Sequence, residues 1–136
     1  MKSRMIASKF ILLLVLMFVV PSQLFASEGQ FLKYSPEKFQ ELQQGGEPVV
    51  LDFYASWCGT CRKQSKVLST LLEQDKFSNV RILKVDYDNA RELRKEHRVP
   101  RQSTLIMFRG ENETDRVVAS TDEKRLSMLL ASGLSE

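Results

Sequence analysis

The chain has little of what metal centres are built from: its 136 residues hold two cysteines and one histidine, His97. A structural zinc site usually takes four ligands, from two cysteine pairs or from one pair and two histidines, so zinc held within one chain is not expected. Nor is there an apolar run of the length a spanning helix needs. The stretch Phe10 to Val20 is eleven residues, against about 20 for a bilayer. Charge of one sign is missing as well. The formal +3 belongs to the first residues, where Lys2, Arg4 and Lys9 stand with no acid, leaving 17 Lys and Arg against 17 Asp and Glu in the remainder. A near-neutral chain lacks the main support for nucleic-acid binding or polybasic membrane attachment. Repeats, low-complexity tracts and linkers are absent, which leaves one domain with a modest core.

What is present begins with the layout of an export signal. Three basic residues precede the apolar run, Pro21 ends it, and Leu24-Phe25-Ala26 offers a small-residue cleavage site. Residues 1–26 are therefore read as a signal peptide cleaved after Ala26, and 27–136 as the domain. An uncleaved N-terminal membrane anchor is the alternative, if Ile6 and Ala7 extend the run. No cysteine lies near the junction to carry a lipid, and the ending Gly133-Leu134-Ser135-Glu136 is not an endoplasmic-reticulum retention signal. A periplasmic or secreted protein is expected.

The two cysteines fall in Trp57-Cys58-Gly59-Thr60-Cys61, directly after the hydrophobic run Val49-Val50-Leu51-Asp52-Phe53-Tyr54, which reads as a buried strand. If Cys58 opens a helix, Cys61 lies one turn later on the same face, with the Cβ atoms about 5–6 Å apart. A disulfide wants them nearer 4 Å, so the bond needs some local adjustment and is open to reduction. Unpaired N–H groups and the positive dipole end favour a thiolate at Cys58 over Cys61. Cys58 becomes the exposed nucleophile and Cys61 the resolver. The competing reading is a structural staple, but so small a loop removes only about 2 kcal/mol of unfolded-chain entropy. In an oxidising compartment, a lone close pair is better suited to exchanging electrons.

Along the chain, Gln30 to Tyr34 reads as a short strand, and Ser35-Pro36 as cap and first residue of a helix bearing Phe39 and Leu42, stopped by Gly45-Gly46. Pro48 to Tyr54 is the central strand. A helix from Cys58 to about Glu73 presents Val67, Leu68, Leu71 and Leu72 inward. Val80 to Val85 is a further strand, Ala90 to His97 a polar helix, and Thr104 to Phe108 another strand. Gly110 to Glu113 turns, Arg116 to Ala119 returns antiparallel, and Ser120 with Glu123 forms a capping box for a last helix with Leu126, Leu129 and Leu130 on its stripe. The order implies an α/β fold: a mixed central sheet with helices on both faces.

The order of elements and the residues Asp52-Phe53-Tyr54-Ala55-Ser56-Trp57-Cys58-Gly59-Thr60-Cys61 resemble the thioredoxin superfamily, with Lys84, Asp86 and Thr104 to Phe108 extending the likeness over nearly all of the domain. The resemblance implies a thioredoxin fold, with Cys58 attacking client disulfides and Cys61 releasing the mixed disulfide. It implies that Asp52 is a buried acid that moves the proton of the resolving thiol; burial raises a carboxyl pKa toward that task. A structural ion pair with Lys84 is the plainer role, compatible with the first. Trp57, Gly59, Thr60, Gln102 and Ser103 would form the client-binding surface. No cofactor is implied beyond the Cys58–Cys61 pair. Partners would be protein thiols and disulfides and a membrane electron carrier, since an exported dithiol has no access to a cytosolic reductase; nucleic acid is not among them, and the protein would be a monomer.

Two departures stand out. Thr60 occupies the place of the commonest motif's proline, and together with Arg62, Lys63 and Lys66 it biases the balance of thiolate and disulfide, unless those charges are simply a solvated face. Ser103 occupies the place of the family's cis-proline. A cis Gln102–Ser103 bond would cost about 2.5–4 kcal/mol, so a trans bond or a strained site is expected. Ser103→Pro is expected to restore an ordinary loop if a cis bond is accepted there. The activity expected is thiol–disulfide exchange by a reductant or dedicated exchanger rather than a general oxidase, because the large helical insertion of dedicated oxidants is absent. The rivals are a copper- or zinc-handling protein using Cys58 and Cys61, and an adaptor that binds one client. His97, among Lys95, Glu96 and Arg98, is expected to be solvated, with a metal-ligand role as the alternative.

Overall fold

The computed structural model describes residues 29–134; the predicted leader and its cleavage site lie outside the described residues. Strand β1 (Phe31–Lys33) leads to helix α1 (Pro36–Gln44), β2 (Pro48–Tyr54) and α2 (Gly59–Leu72). A 3-10 turn at Asp75–Phe77 precedes β3 (Arg81–Asp86), α3 (Arg91–Glu96), the hairpin β4 (Thr104–Arg109) and β5 (Asn112–Val118), and α4 (Glu123–Ser132). The sheet order is β1-β3-β2-β4-β5, with β1, β3 and β2 parallel and β4 and β5 antiparallel. This is the mixed sheet the element order predicts.

Local chemistry sets the boundaries. The Ser35 hydroxyl accepts from Lys38 N–H, Pro36 occupies the first turn where its missing N–H costs nothing, and Gly46 leaves α1 at φ 66°. The two-residue period of the strands then sorts side chains between two cores. Val50, Ile82, Leu105 and Met107 face α2 and α4, meeting Leu68, Leu71, Leu126 and Leu129. Val49, Leu51, Phe53, Leu83 and Ile106 face the other way, toward Phe39 and Leu42 of α1 and Leu93 of α3. Asp52 shares the parity of Val50, and Lys84 that of Ile82. Both therefore point to the α2 side of the sheet.

Two boundaries differ from the sequence reading. β5 starts at Asn112, four residues before the expected Arg116, so Asn112 and Glu113 pair with Arg109 and Phe108 instead of forming the turn. β5 is an edge strand with a mostly exposed start, and pairing to β4 overrides the polar composition of that start. The last helix is capped by Asp122, which accepts from Arg125 N–H, while the Ser120 hydroxyl accepts from Asp122 N–H. The capping box expected of Ser120 and Glu123 is not the one used.

Candidate active site

The chain leaves the end of β2 at Tyr54 and turns through Ala55 to Trp57, with Cys58 N–H donating to the Ala55 carbonyl at 3.1 Å. Cys58 is the N-cap of α2: its backbone is extended (φ −85°, ψ 107°) and its sulfur accepts from Cys61 N–H at 3.1 Å. A cysteine thus does what serine or aspartate commonly does, satisfying one of the N–H groups a helix start leaves open. The two cysteines form a disulfide with Cα atoms 5.3 Å apart. The adjustment anticipated for bridging this spacing is the cap itself, because Cys58 lies just outside the helix rather than within its first turn. Both cysteines are 4 % exposed. The expected exposure of Cys58 is not found, and the cap distinguishes the two sulfurs.

Trp57 is 61 % exposed, and its indole N–H donates to Asp88 Oδ2 at 2.9 Å. Asp88 is held in turn by its backbone N–H, which donates to Asp86 Oδ1 at 3.2 Å. Gly59 is exposed and Thr60 half-buried. The Arg62 guanidinium turns back over the motif to donate to the Ser56 carbonyl at 3.3 Å, whereas Lys63 and Lys66 are exposed on α2.

Beneath the pair, Lys84 Nζ donates to Asp52 Oδ2 at 2.5 Å and to the Ser65 hydroxyl at 3.2 Å, and it lies 4.4 Å from the Tyr54 ring centre. Ser65 is one helical turn beyond Cys61, which ties the ion pair to the face of α2 that carries the resolving sulfur. Asp52 is buried, and its Oδ1 has no hydrogen-bond partner. Burial raises the Asp52 carboxyl above the usual carboxylate range, against the lowering effect of Lys84.

The loop before β4 closes the site. The Gln102–Ser103 bond is trans, and Ser103 sits at φ 64°, so strain falls on a left-handed serine. Ser103 is fully buried, with its hydroxyl 3.1 Å from Cys58 Sγ and 3.0 Å from Cys61 Sγ. Its N–H donates to the Phe53 carbonyl at 2.8 Å, and its carbonyl accepts from Ala119 N–H and from Gln64 Nε2. Gln102 beside it is half-buried. Sequence reasoning missed Gln64, a buried amide that also donates to the Ser120 carbonyl at 2.8 Å, and it missed Asp88. The signal for Gln64 was its place on the helix face shared by Cys61 and Leu68; Asp88 lies in the polar run that follows β3.

His97 is not solvated. It is half-buried, with its ring edge-on to Phe39 and Phe108 at 6.2 and 5.5 Å, and burial lowers its pKa. Phe108 is near the far end of β4 from Ser103, so His97 does not join the cysteines. Among the described residues, no group of three or more His, Cys, Asp or Glu side chains could hold a metal ion.

Comparison with known proteins agrees with this geometry. The thioredoxin family model matches residues 30–132. The chain is 33 % identical over 90 residues to a thioredoxin H-type of Fagopyrum esculentum, covering 66 % of this chain and 76 % of that one. It is 33 % identical to thioredoxin-2 of Saccharomyces cerevisiae, covering 65 % and 84 %. The crystal structure of Trxlp from Edwardsiella tarda superposes with a TM-score of 0.70 at 35 % identity, covering 74 % of this chain and 97 % of that one. Reaction electrons are carried by the protein's own disulfide, so the chemistry needs no bound cofactor. A cysteine pair at the strand-to-helix junction of this sheet, in a sequence matched along nearly all its described length, places the chain in the thioredoxin family as a thiol–disulfide oxidoreductase acting through Cys58 and Cys61.

Proposed function

We propose that the protein is an exported thioredoxin-type reductant or dedicated client exchanger in which Cys58 is the attacking and Cys61 the resolving sulfur. The observation that carries the assignment of roles is the N-cap: Cys58 Sγ accepts the Cys61 N–H at the positive end of α2, where a thiolate is stabilised by the dipole and by a charge-assisted hydrogen bond. Trp57, Gly59, Thr60 and Gln102 surround the pair as the client surface, with Trp57 anchored by Asp88, while Ser103 is buried beneath that surface against the sulfurs. In this reading Ser103 takes the place of the family's cis-proline. Residues 1–26 direct export, and a membrane carrier supplies electrons to the monomeric domain. Expression of the full chain with its leader, followed by the mass of the recovered protein, tests the export reading. A mature chain starting at Ser27 in the periplasm or medium supports it; a full-length chain in the cytosol contradicts it.

Asp52 serves as the acceptor for the Cys61 proton in the resolving step. The support is its raised carboxyl and unpartnered Oδ1 on the α2 side of the sheet. Asp52→Asn should slow release of the mixed disulfide more than its formation, as read by stopped flow; equal slowing of both steps would leave Asp52 a structural partner of Lys84.

The same substitution carries a stability prediction. The folded chain holds the Asp52 proton to a higher pH than the unfolded chain, so this group's stabilising contribution is lost as pH rises from about 4, the unfolded carboxyl value, through the raised folded value. Asn removes that loss. The variant should be more stable than wild type at neutral pH, with the partly exposed Lys84 left to solvent, and close to wild type at acid pH, with denaturant titrations across that window as the check.

A further inference from the structure

The Ser103 hydroxyl is in hydrogen-bond contact with both sulfurs at once, in a residue that is fully buried. Three hydrogen bonds hold its backbone: its N–H donates to the Phe53 carbonyl, and its carbonyl accepts from Ala119 N–H and from the Gln64 side-chain amide. A serine hydroxyl has one proton to donate. Sulfurs of a disulfide are weak acceptors, whereas a thiolate is a strong one, so the same hydroxyl is worth more to the reduced pair than to the oxidised pair. A buried site strengthens that difference. We propose that Ser103 is a positioning residue whose hydroxyl donates to the Cys58 thiolate in the reduced protein, stabilising that form and setting the pair toward the oxidising side. The inference rests on the thiol–disulfide exchange proposed above.

In the exchange itself, the Cys58 thiolate bonds to one sulfur of a client disulfide, the client S–S bond breaks, and the departing client thiolate takes a proton from water. Cys61 then passes its proton to the Asp52 carboxylate, its sulfur bonds to Cys58 Sγ, and the second client sulfur leaves as a thiolate. Two electrons pass from the dithiol to the client disulfide, and the Ser103 hydroxyl is unchanged at the end. Its donated hydrogen bond holds Cys58 as a ready thiolate before the first step and is weakened once the disulfide forms. Other charged or titratable groups around the pair are Asp52, Lys84 and Tyr54 beneath it, and Arg62 and Asp88 beside the motif. These are the same in wild type and Ser103 variants, so a comparison isolates the hydroxyl.

Two substitutions separate the hydrogen bond from the strain. Ser103→Ala and Ser103→Gly both remove the hydroxyl, but only glycine accepts φ 64° at no steric cost, so the glycine variant should melt at a higher temperature than the alanine variant. The full chain and both variants are titrated by far-ultraviolet thiolate absorbance against pH and equilibrated with glutathione at several pH values. The expected result is a thiolate midpoint about one unit higher in both variants and an equilibrium moved toward the disulfide by about tenfold, near 30 mV for a two-electron couple. The difference from wild type should fade at pH values below the wild-type midpoint. Unchanged midpoints and equilibria, or shifts that follow melting temperature instead of the missing hydroxyl, would overturn the role of Ser103. A wild-type pair that does not exchange with glutathione at all would overturn the exchange reading itself and this inference with it.

Discussion

Cys58→Ser is expected to abolish disulfide reduction, while Cys61→Ser should retain the first half of the reaction and accumulate mixed disulfides with clients. The asymmetry follows from the cap. In the first variant the sulfur at the helix start is gone, and the remaining thiol at Cys61 lies within the first turn, without the capping hydrogen bond that favours a thiolate at Cys58. Hydroxyl oxygen is a far weaker nucleophile toward sulfur than a thiolate, so the reduction rate should fall by several orders of magnitude, to the level of the reductant alone. In the second variant, Cys58 still bonds to a client sulfur but no thiol remains to displace it. Non-reducing electrophoresis after alkylation reads both outcomes. Trapping by Cys58→Ser at or above the level of Cys61→Ser would reverse the assignment of roles.

Ser103→Pro is expected to destabilise the fold by at least about 2 kcal/mol, although the sequence alone suggests that it should restore an ordinary loop. Proline fixes φ near −65° and has no N–H. The native residue sits at φ 64° and donates to the Phe53 carbonyl at 2.8 Å. The substitution would therefore strand a buried acceptor on the central strand, disturb the carbonyl that Gln64 and Ala119 share, and remove the hydroxyl between the sulfurs. Urea unfolding of wild type and variant measures the loss. An unchanged midpoint would mean that the loop has a second, proline-compatible arrangement of similar free energy.

The parts of this fold that can be read in the sequence are those where one local rule decides. Ser35-Pro36 starts a helix by capping and by fixed φ, and Pro48 to Tyr54 is apolar on both faces because it is the central strand of the sheet. The cysteine pair was legible for the same reason, since its spacing and the strand before it carry the chemistry. Where tertiary contact decides, the sequence is silent. Nothing in the residues around Ser103 announces a left-handed serine, because its φ is set by hydrogen bonds to β2, α2 and the segment after β5. His97 was read as solvated from its charged neighbours, yet Phe39 and Phe108, far away in sequence, cover it. Gln64 is polar and looks like a surface residue, but its amide links two carbonyls of distant loops. The early start of β5 is likewise a matter of pairing with β4 and not of composition.

Whether Cys58 and Cys61 form one exchanging redox pair is read by equilibrating the full chain in glutathione buffers of graded ratio, then alkylating free thiols and weighing the products. The expected result is a single two-electron transition in which both cysteines pass together from doubly alkylated to unalkylated, with the intramolecular disulfide as the oxidised species. Cysteines that stay alkylatable across the whole range, or that take up one glutathione each without closing on one another, would contradict it.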